Sequence, residues 1–224
     1  HRAQNTLRDK ISAERDRQSI TGIFGRFVPE PIVDALIADQ GLLEPIEREA
    51  TILFTDIVGF TSLTERLGPK KTVDILNSYF DKMTGIVTEH NGIVANFHGD
   101  AIMAIFNVPL ENENHAEHAL RTAEEMLARV SNISFSGEEI SIRIGINSGS
   151  VIAGNVGGGG RQSYTVYGDA VNLAARLEAL AKEKGVSLLV SEHTVEKLGS
   201  HNLISKGQTT VRGQSKPLEI FGEA

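Results

Sequence analysis

Two aspartates, Asp56 and Asp100, and an asparagine–arginine pair, Asn172 and Arg176, are the residues of this 224-residue chain best placed to do chemistry. Asp56 sits at the end of an apolar run, ATILFTDI (50–57), and Asp100 follows Gly99 between two more such runs, IVANFH (93–98) and AIMAIF (101–106). If those runs are neighbouring strands, both carboxylates converge at one edge of a sheet. Two aspartate carboxylates with a backbone carbonyl, such as that of Ile57, suit Mg²⁺ or Mn²⁺, and two such ions can clamp a triphosphate. Taken singly, an aspartate near a glycine is commonly a turn former. Asn172 and Arg176 are four residues apart and would share one face of a helix beside Leu173, Leu177 and Leu180. An always-charged guanidinium could stabilise charge developing on a transferring phosphorus, and the amide could hold a sugar or orient a nucleophile. The alternative is an exposed polar stripe. Arg143, inside an apolar run, and Arg212, just before a glycine, are either phosphate ligands or snorkelling surface residues.

The elements that must position these residues are legible as patterns. The run at 50–57 is a short, β-branched strand ended by Gly59 and Phe60. Val73, Leu76, Phe80, Met83 and Val87 recur at helical spacing within 70–90. The runs 93–98 and 101–106 are two strands of a hairpin closed by Gly99 and Asp100. A second helix is predicted over 116–130, then strands IRIGINSG (142–149) and VIAGNVG (151–157), a GGGG loop (157–160) and the strand YTVYG (164–168). Asp169 is expected to cap a helix running to about Glu183. SLLVS, a short helix near 192–198, TTVRG and PLEIF complete the series. Strands interleaved with helices predict a layered α/β sandwich (α+β) rather than a doubly wound sheet.

Ahead of this, residues 1–20 read as a solvated helix with a thin apolar seam, either a linker or a signalling stalk, and 29–38 as a short helix. The sequence opens at His1 without a methionine or a signal-peptide pattern, so the chain is expected to be part of something longer. We divide it at 1–49, a linker or signalling region, and 50–224, the domain bearing the candidate residues.

Composition removes several functions. Apolar residues at 40% and charged residues at 23% describe a globular chain, and no apolar run approaches a bilayer span. A net charge of −7 argues against a general nucleic-acid binder. The absence of cysteine removes thiolate metal sites and cysteine nucleophiles, and fits a reducing cytoplasm. GNVGGGG (154–160) is no phosphate loop, because a strand rather than GK[ST] and a helix follows it; it reads as a hairpin. His115 and His118 read as ordinary surface histidines, and no serine-triad pattern occurs.

Taken together, FTDIVGFT (54–61), FHGDAIMAIF (97–106), RIGINSG (143–149) and YTVYGDAVNLAARLE (164–178) closely resemble the catalytic domain of class III nucleotidyl cyclases. The resemblance covers about 50–221, and GRFVPEPIVDAL before it is similar to the linker joining such domains to sensors or membrane segments. It implies a ferredoxin-like core, with helices packed on a mixed, mostly antiparallel sheet, that forms a head-to-tail homodimer. ATP or GTP would bind at the interface, and its 3′-hydroxyl would attack its own α-phosphorus with release of pyrophosphate. On this resemblance Asp56, Asp100 and the Ile57 carbonyl hold two Mg²⁺ or Mn²⁺ ions and Arg143 holds the triphosphate. From the other protomer, Asn172 positions the ribose, Arg176 stabilises the transition state and Arg212, commonly lysine in the family, contacts the terminal phosphates. Asn96 and Thr165 occupy the base-reading positions. Thr165 fits a threonine-bearing bacterial adenylate cyclase subgroup, Asn96 replaces the usual lysine, and the glutamate typical of guanylate cyclases is absent. The expectation is an adenylate cyclase with a cytoplasmic active site. Guanylate cyclase and a silent nucleotide-binding regulatory domain are the alternatives.

Overall fold

The computed structural model describes residues 44–158, 161–210 and 217–223. All but Glu44 belong to the compact unit Pro45–Ala224. The helices expected within 1–38, Arg212 and most of TTVRG lie outside the described residues.

The elements in chain order are β1 (Ile46–Ile57), α1 (Phe60–Glu89), β2 (Ile93–His98), β3 (Ala101–Phe106), α2 (His115–Asn132), β4 (Ile142–Gly158), β5 (Arg161–Tyr167), α3 (Asp169–Lys184), β6 (Leu188–Ser191), α4 (Glu192–Val195), β7 (Ile204–Thr209) and β8 (Leu218–Gly222). One sheet runs β2-β3-β1-β4-β6-β8-β7, with β5 paired to β4. Every pairing is antiparallel except β4 with β6. This is the mixed, mostly antiparallel sheet with packed helices that the resemblance implies.

Period-two alternation divides the central strands between two cores. Leu53 and Ile57 of β1 and Ile142, Ile144 and Ile146 of β4 pack with Ile75, Tyr79 and Met83 of α1 and Ala119 and Met126 of α2. The other face of β4 carries Arg143, Gly145, Asn147 and Gly149, and α3 lies along it. Leu173, Leu177 and Ala181 of α3 join Leu189, Leu218 and Ile220 in the second, smaller core. Gly145 is what permits the close approach: a Cβ there would stand 2.3 Å from the Glu178 amide nitrogen and 2.4 Å from the Ala174 carbonyl oxygen.

A buried polar chain ties this packing through the sheet. Thr51 Oγ1 lies 2.7 Å from His115 Nδ1 and 2.6 Å from Ser148 Oγ, which is 3.0 Å from Thr194 Oγ1. On the α3 side, Ser191 donates to Asn147 Oδ1 (2.7 Å) and Asn147 Nδ2 donates to the Ala170 carbonyl (2.9 Å). Thr51, Asn147, Ser148, Ser191 and Thr194 are all buried, so these bonds satisfy groups that have no access to water.

Several boundaries differ from the sequence reading. The first helix begins at Phe60, ten residues before the predicted start, because the backbone turns at Gly68 (φ 76°) ahead of Pro69 and helix continues on both sides. Residues 142–149 and 151–157 form one strand, since Gly149 and Gly154 give close packing to Ala170 and Pro45 rather than a turn. Gly168, not Asp169, is the capping position of α3, and Asp169 stands in the first turn without a side-chain cap bond. There its charge complements the helix dipole. His115 is no surface residue: it is buried at the start of α2 by its contact with Thr51.

Candidate active site

The β2–β3 hairpin brings Asp100 beside the end of β1. There the Ile57 amide donates to Asp56 Oδ1 at 3.0 Å and to Asp100 Oδ2 at 3.2 Å. The two carboxylates therefore converge as the sequence predicted, tied by one backbone N–H. Burial, then hydrogen bonding to and charge repulsion from Asp56, push the Asp100 carboxyl up to about 7 from its ordinary 3.8. Beneath them Tyr79 is fully buried, its hydroxyl 3.4 Å from Thr55 Oγ1, and burial drives its ionisation far above the usual range. Two half-buried carboxylates brought together on one backbone N–H supply the oxygen ligands that fit a hard divalent cation. Among the described residues no cluster of three or more His, Cys, Asp or Glu side chains is assembled, so any further ligand must come from backbone, substrate or water.

This arrangement sets a pH dependence. Because the folded protein holds the Asp100 proton more tightly than the unfolded chain, that stabilisation is complete below about pH 4 and is lost as pH rises through about 7. In EDTA, the melting temperature of the wild type should fall relative to that of Asp100→Asn between pH 5 and 8. Mn²⁺ at pH 8 should raise the wild-type value and leave the variant unmoved. Parallel profiles for the two proteins in scanning calorimetry would refute the assignment.

Arg143 is the direct cross-strand partner of Asp56. Its guanidinium nevertheless turns to α3, where Nε donates to Glu178 Oε1 at 3.2 Å, with both side chains about 15% exposed or less. Burial, then the charge of Asp56, push the Glu178 carboxyl above its ordinary range, while the Arg143 bond pulls it down. Glu178 was missed in the sequence. The readable signal was a charge set on the apolar stripe of α3, four residues after buried Ala174 and three before buried Ala181.

Asn172 and Arg176 do share one helix face, but not the face that meets the carboxylates. The buried residues of α3 are Ala170, Leu173, Ala174, Leu177 and Ala181. At about 100° of rotation per residue, the Asn172 and Arg176 positions lie on the side of the helix turned from the sheet; Asn172 is exposed and Arg176 half-buried. Asn96, exposed on β2, and Thr165, half-buried on β5, are carried by strands that meet. Arg212 lies outside the described residues.

Residues 44–221 match the model of the adenylate and guanylate cyclase catalytic domain. Among curated proteins the chain is 36% identical over 206 residues to adenylate cyclase 1 of Rhizobium meliloti (strain 1021), covering 88% of this chain and 31% of that protein. The chain thus spans about a third of the length of that relative. Among solved structures it is similar to the adenylyl cyclase CyaB from P. aeruginosa (32% identity, TM-score 0.71, 80% of this chain and 95% of that one). It is also similar to the guanylyl cyclase Cya2 (30%, TM-score 0.72, 80% and 93%). A bacterial light-regulated adenylyl cyclase aligns over 100% of this chain and 63% of its own (27%, TM-score 0.78). With its sheet order, its paired aspartates and a family match that extends from the first described residue into β8, the chain belongs to the class III adenylate and guanylate cyclase catalytic-domain family.

Proposed function

We propose that the chain is an adenylate cyclase, converting ATP to 3′,5′-cyclic AMP and pyrophosphate by in-line attack of the ribose 3′-hydroxyl on the α-phosphorus. The observation that carries the shared-site reading is the division of the constellation: Asp56 and Asp100 stand at the sheet end, whereas Asn172 and Arg176 occupy the outer face of α3. One copy presents each half to a different side, so a complete site needs a second copy, and a head-to-tail pair provides two.

Asp56, Asp100 and the Ile57 carbonyl would hold two Mg²⁺ or Mn²⁺ ions, which lower the pKa of the attacking hydroxyl and neutralise phosphate charge. Arg143 and Arg212 bind the phosphates as permanent cations. From the partner, Asn172 fixes the ribose so that the 3′-hydroxyl lies in line, and Arg176 offsets the charge that grows on the α-phosphoryl oxygens. Catalysis by positioning and charge stabilisation needs no covalent enzyme intermediate. Asn96 and Thr165 read the purine edge; an amide both donates and accepts, which makes GTP the second reading. Similarity to solved cyclases of both kinds supports keeping it. A catalytically silent nucleotide-binding domain is disfavoured by the intact set of Asp56, Asp100, Asn172 and Arg176.

A need for nucleoside triphosphate puts the active site in the cytoplasm. Residues 1–49 join it to an upstream sensor or membrane segment, in keeping with the length of the curated relative; no helix among the described residues is long and apolar enough to cross a membrane.

The test supplies ATP and GTP separately with Mn²⁺ and identifies the product by mass spectrometry. Cyclic AMP should predominate. Cyclic GMP predominating would keep the reaction and reverse the base assignment, and nucleotide binding by confirmed dimers without product would favour the silent domain.

A further inference from the structure

Arg143 and Asp56 stand directly opposite each other on β4 and β1, on the same face of the sheet. Side chains so placed have Cβ atoms about 5 Å apart, close enough for opposite charges to pair. An arginine fork matches a carboxylate in a bidentate grip. Such a grip on Asp56 would use the oxygens that a cation needs. Among the described residues, however, the ion pair of Arg143 is with Glu178 and none joins it to Asp56. Glu178 is held in place for this: its own backbone nitrogen lies over Gly145, the next residue of β4 on the same face as Arg143.

We propose that Glu178 is a positioning residue that keeps Arg143 off Asp56, so that the aspartate stays available to a divalent cation while the terminal guanidinium nitrogens stay available to phosphate. The proposal rests on the reading of Asp56 and Asp100 as metal ligands. It accounts for an ion pair that little solvent reaches and that joins a strand residue to the helix packed over it. Such pairs contribute little net stability because both charges must be desolvated. Diverting a competing cation from a ligand is a role in which orientation matters more than energy.

The test is binding of Mn²⁺ alone to the purified chain, followed by electron paramagnetic resonance of the free ion. Glu178→Ala should weaken Mn²⁺ binding roughly ten-fold or more, the range found when partners of metal ligands are removed. Glu178→Gln, which keeps the acceptor oxygen, should stay close to wild type. In the double variant Arg143→Ala/Glu178→Ala, affinity should return to that of Arg143→Ala, because nothing is left to occupy Asp56. A double variant as weak as Glu178→Ala would overturn the proposal, since the carboxylate would then be acting by its own charge. So would Glu178→Gln falling as far as Glu178→Ala, or Glu178→Ala binding like wild type. Melting in EDTA verifies folding, and Glu178→Met, similar in volume and without the acceptor, replaces the alanine variant if that one unfolds. Failure of the metal reading looks different: wild type without Mn²⁺ binding, or Asp56→Asn binding undiminished, sinks that reading and the proposal with it.

Discussion

Asp56→Ala and Arg176→Ala proteins are each expected to lose at least about 1,000-fold in cyclase activity, the scale on which phosphoryl-transfer sites depend on their arginine and metal. Mixed in equal amounts and allowed to exchange, they should recover about a quarter of wild-type activity, because half of the randomly formed dimers are mixed and each mixed dimer holds one intact site of two. The expectation follows from geometry. The Asp56 carboxylate lies at the end of β1, tied to the Ile57 amide, whereas the Arg176 position lies on the α3 face turned from the sheet. In a mixed dimer one site combines both lesions and the other combines neither. No recovery, once mixed dimers have been demonstrated by differential tagging, would show that both residues serve a site within one chain.

Gly145→Ala should destabilise the domain by about 3 kcal/mol or more, at or above the usual cost of forcing a methyl group into a packed core. The added Cβ would meet the Glu178 nitrogen at 2.3 Å and the Ala174 carbonyl oxygen at 2.4 Å, and backbone atoms cannot rotate aside as a side chain can. Helix α3 must lift, and with it Asn172, Arg176 and Glu178, so cyclase activity should fall even in the fraction that stays folded. Urea unfolding checks the first effect and product formation the second. Gly85→Ala is the control. Gly85 is an exposed position in α1 with nothing within 4 Å of an added Cβ, and alanine there should stabilise by up to about 1 kcal/mol through helix propensity. Equal effects at the two positions would refute the packing argument.

How far these features could be read from the residues alone varied with the kind of signal. The hairpin around Asp100 was legible because two apolar runs flank a two-residue turn at Gly99 (φ 65°) and Asp100. Asn172 and Arg176 were legible as a pair because helical spacing is local. The start of α1 was not: Gly68 and Pro69 are ordinary helix breakers, and only the contacts of Phe60, Leu63 and Leu67 with the core favour helix on their near side. In β4, glycines that look like strand ends serve close approach by a helix and by Pro45, just ahead of β1, which is a tertiary demand. Burial of His115 depends on Thr51, 64 residues away, and the partner of Arg143 on a helix packed across β4. What pattern revealed was the chemistry on each element; what it withheld was which side chains restrain one another once the elements pack.

The sheet also grades the site by how firmly each part is held. β1 and β4 are joined along twelve consecutive residue pairs at the centre of the sheet, and Asp56 and Arg143 sit within that ladder. Among the described residues β7, at the far edge, pairs with β8 alone, through a register shift, and most of its residues are exposed. In a protein that opens piecemeal, strands of the second kind separate long before the first. Arg212 falls in sequence between β7 and β8, whereas Asp56 falls within the ladder and Asp100 beside its end. The edge strand β7 can therefore part from β8 or accept different side chains while the register that sets Asp56 opposite Arg143 persists.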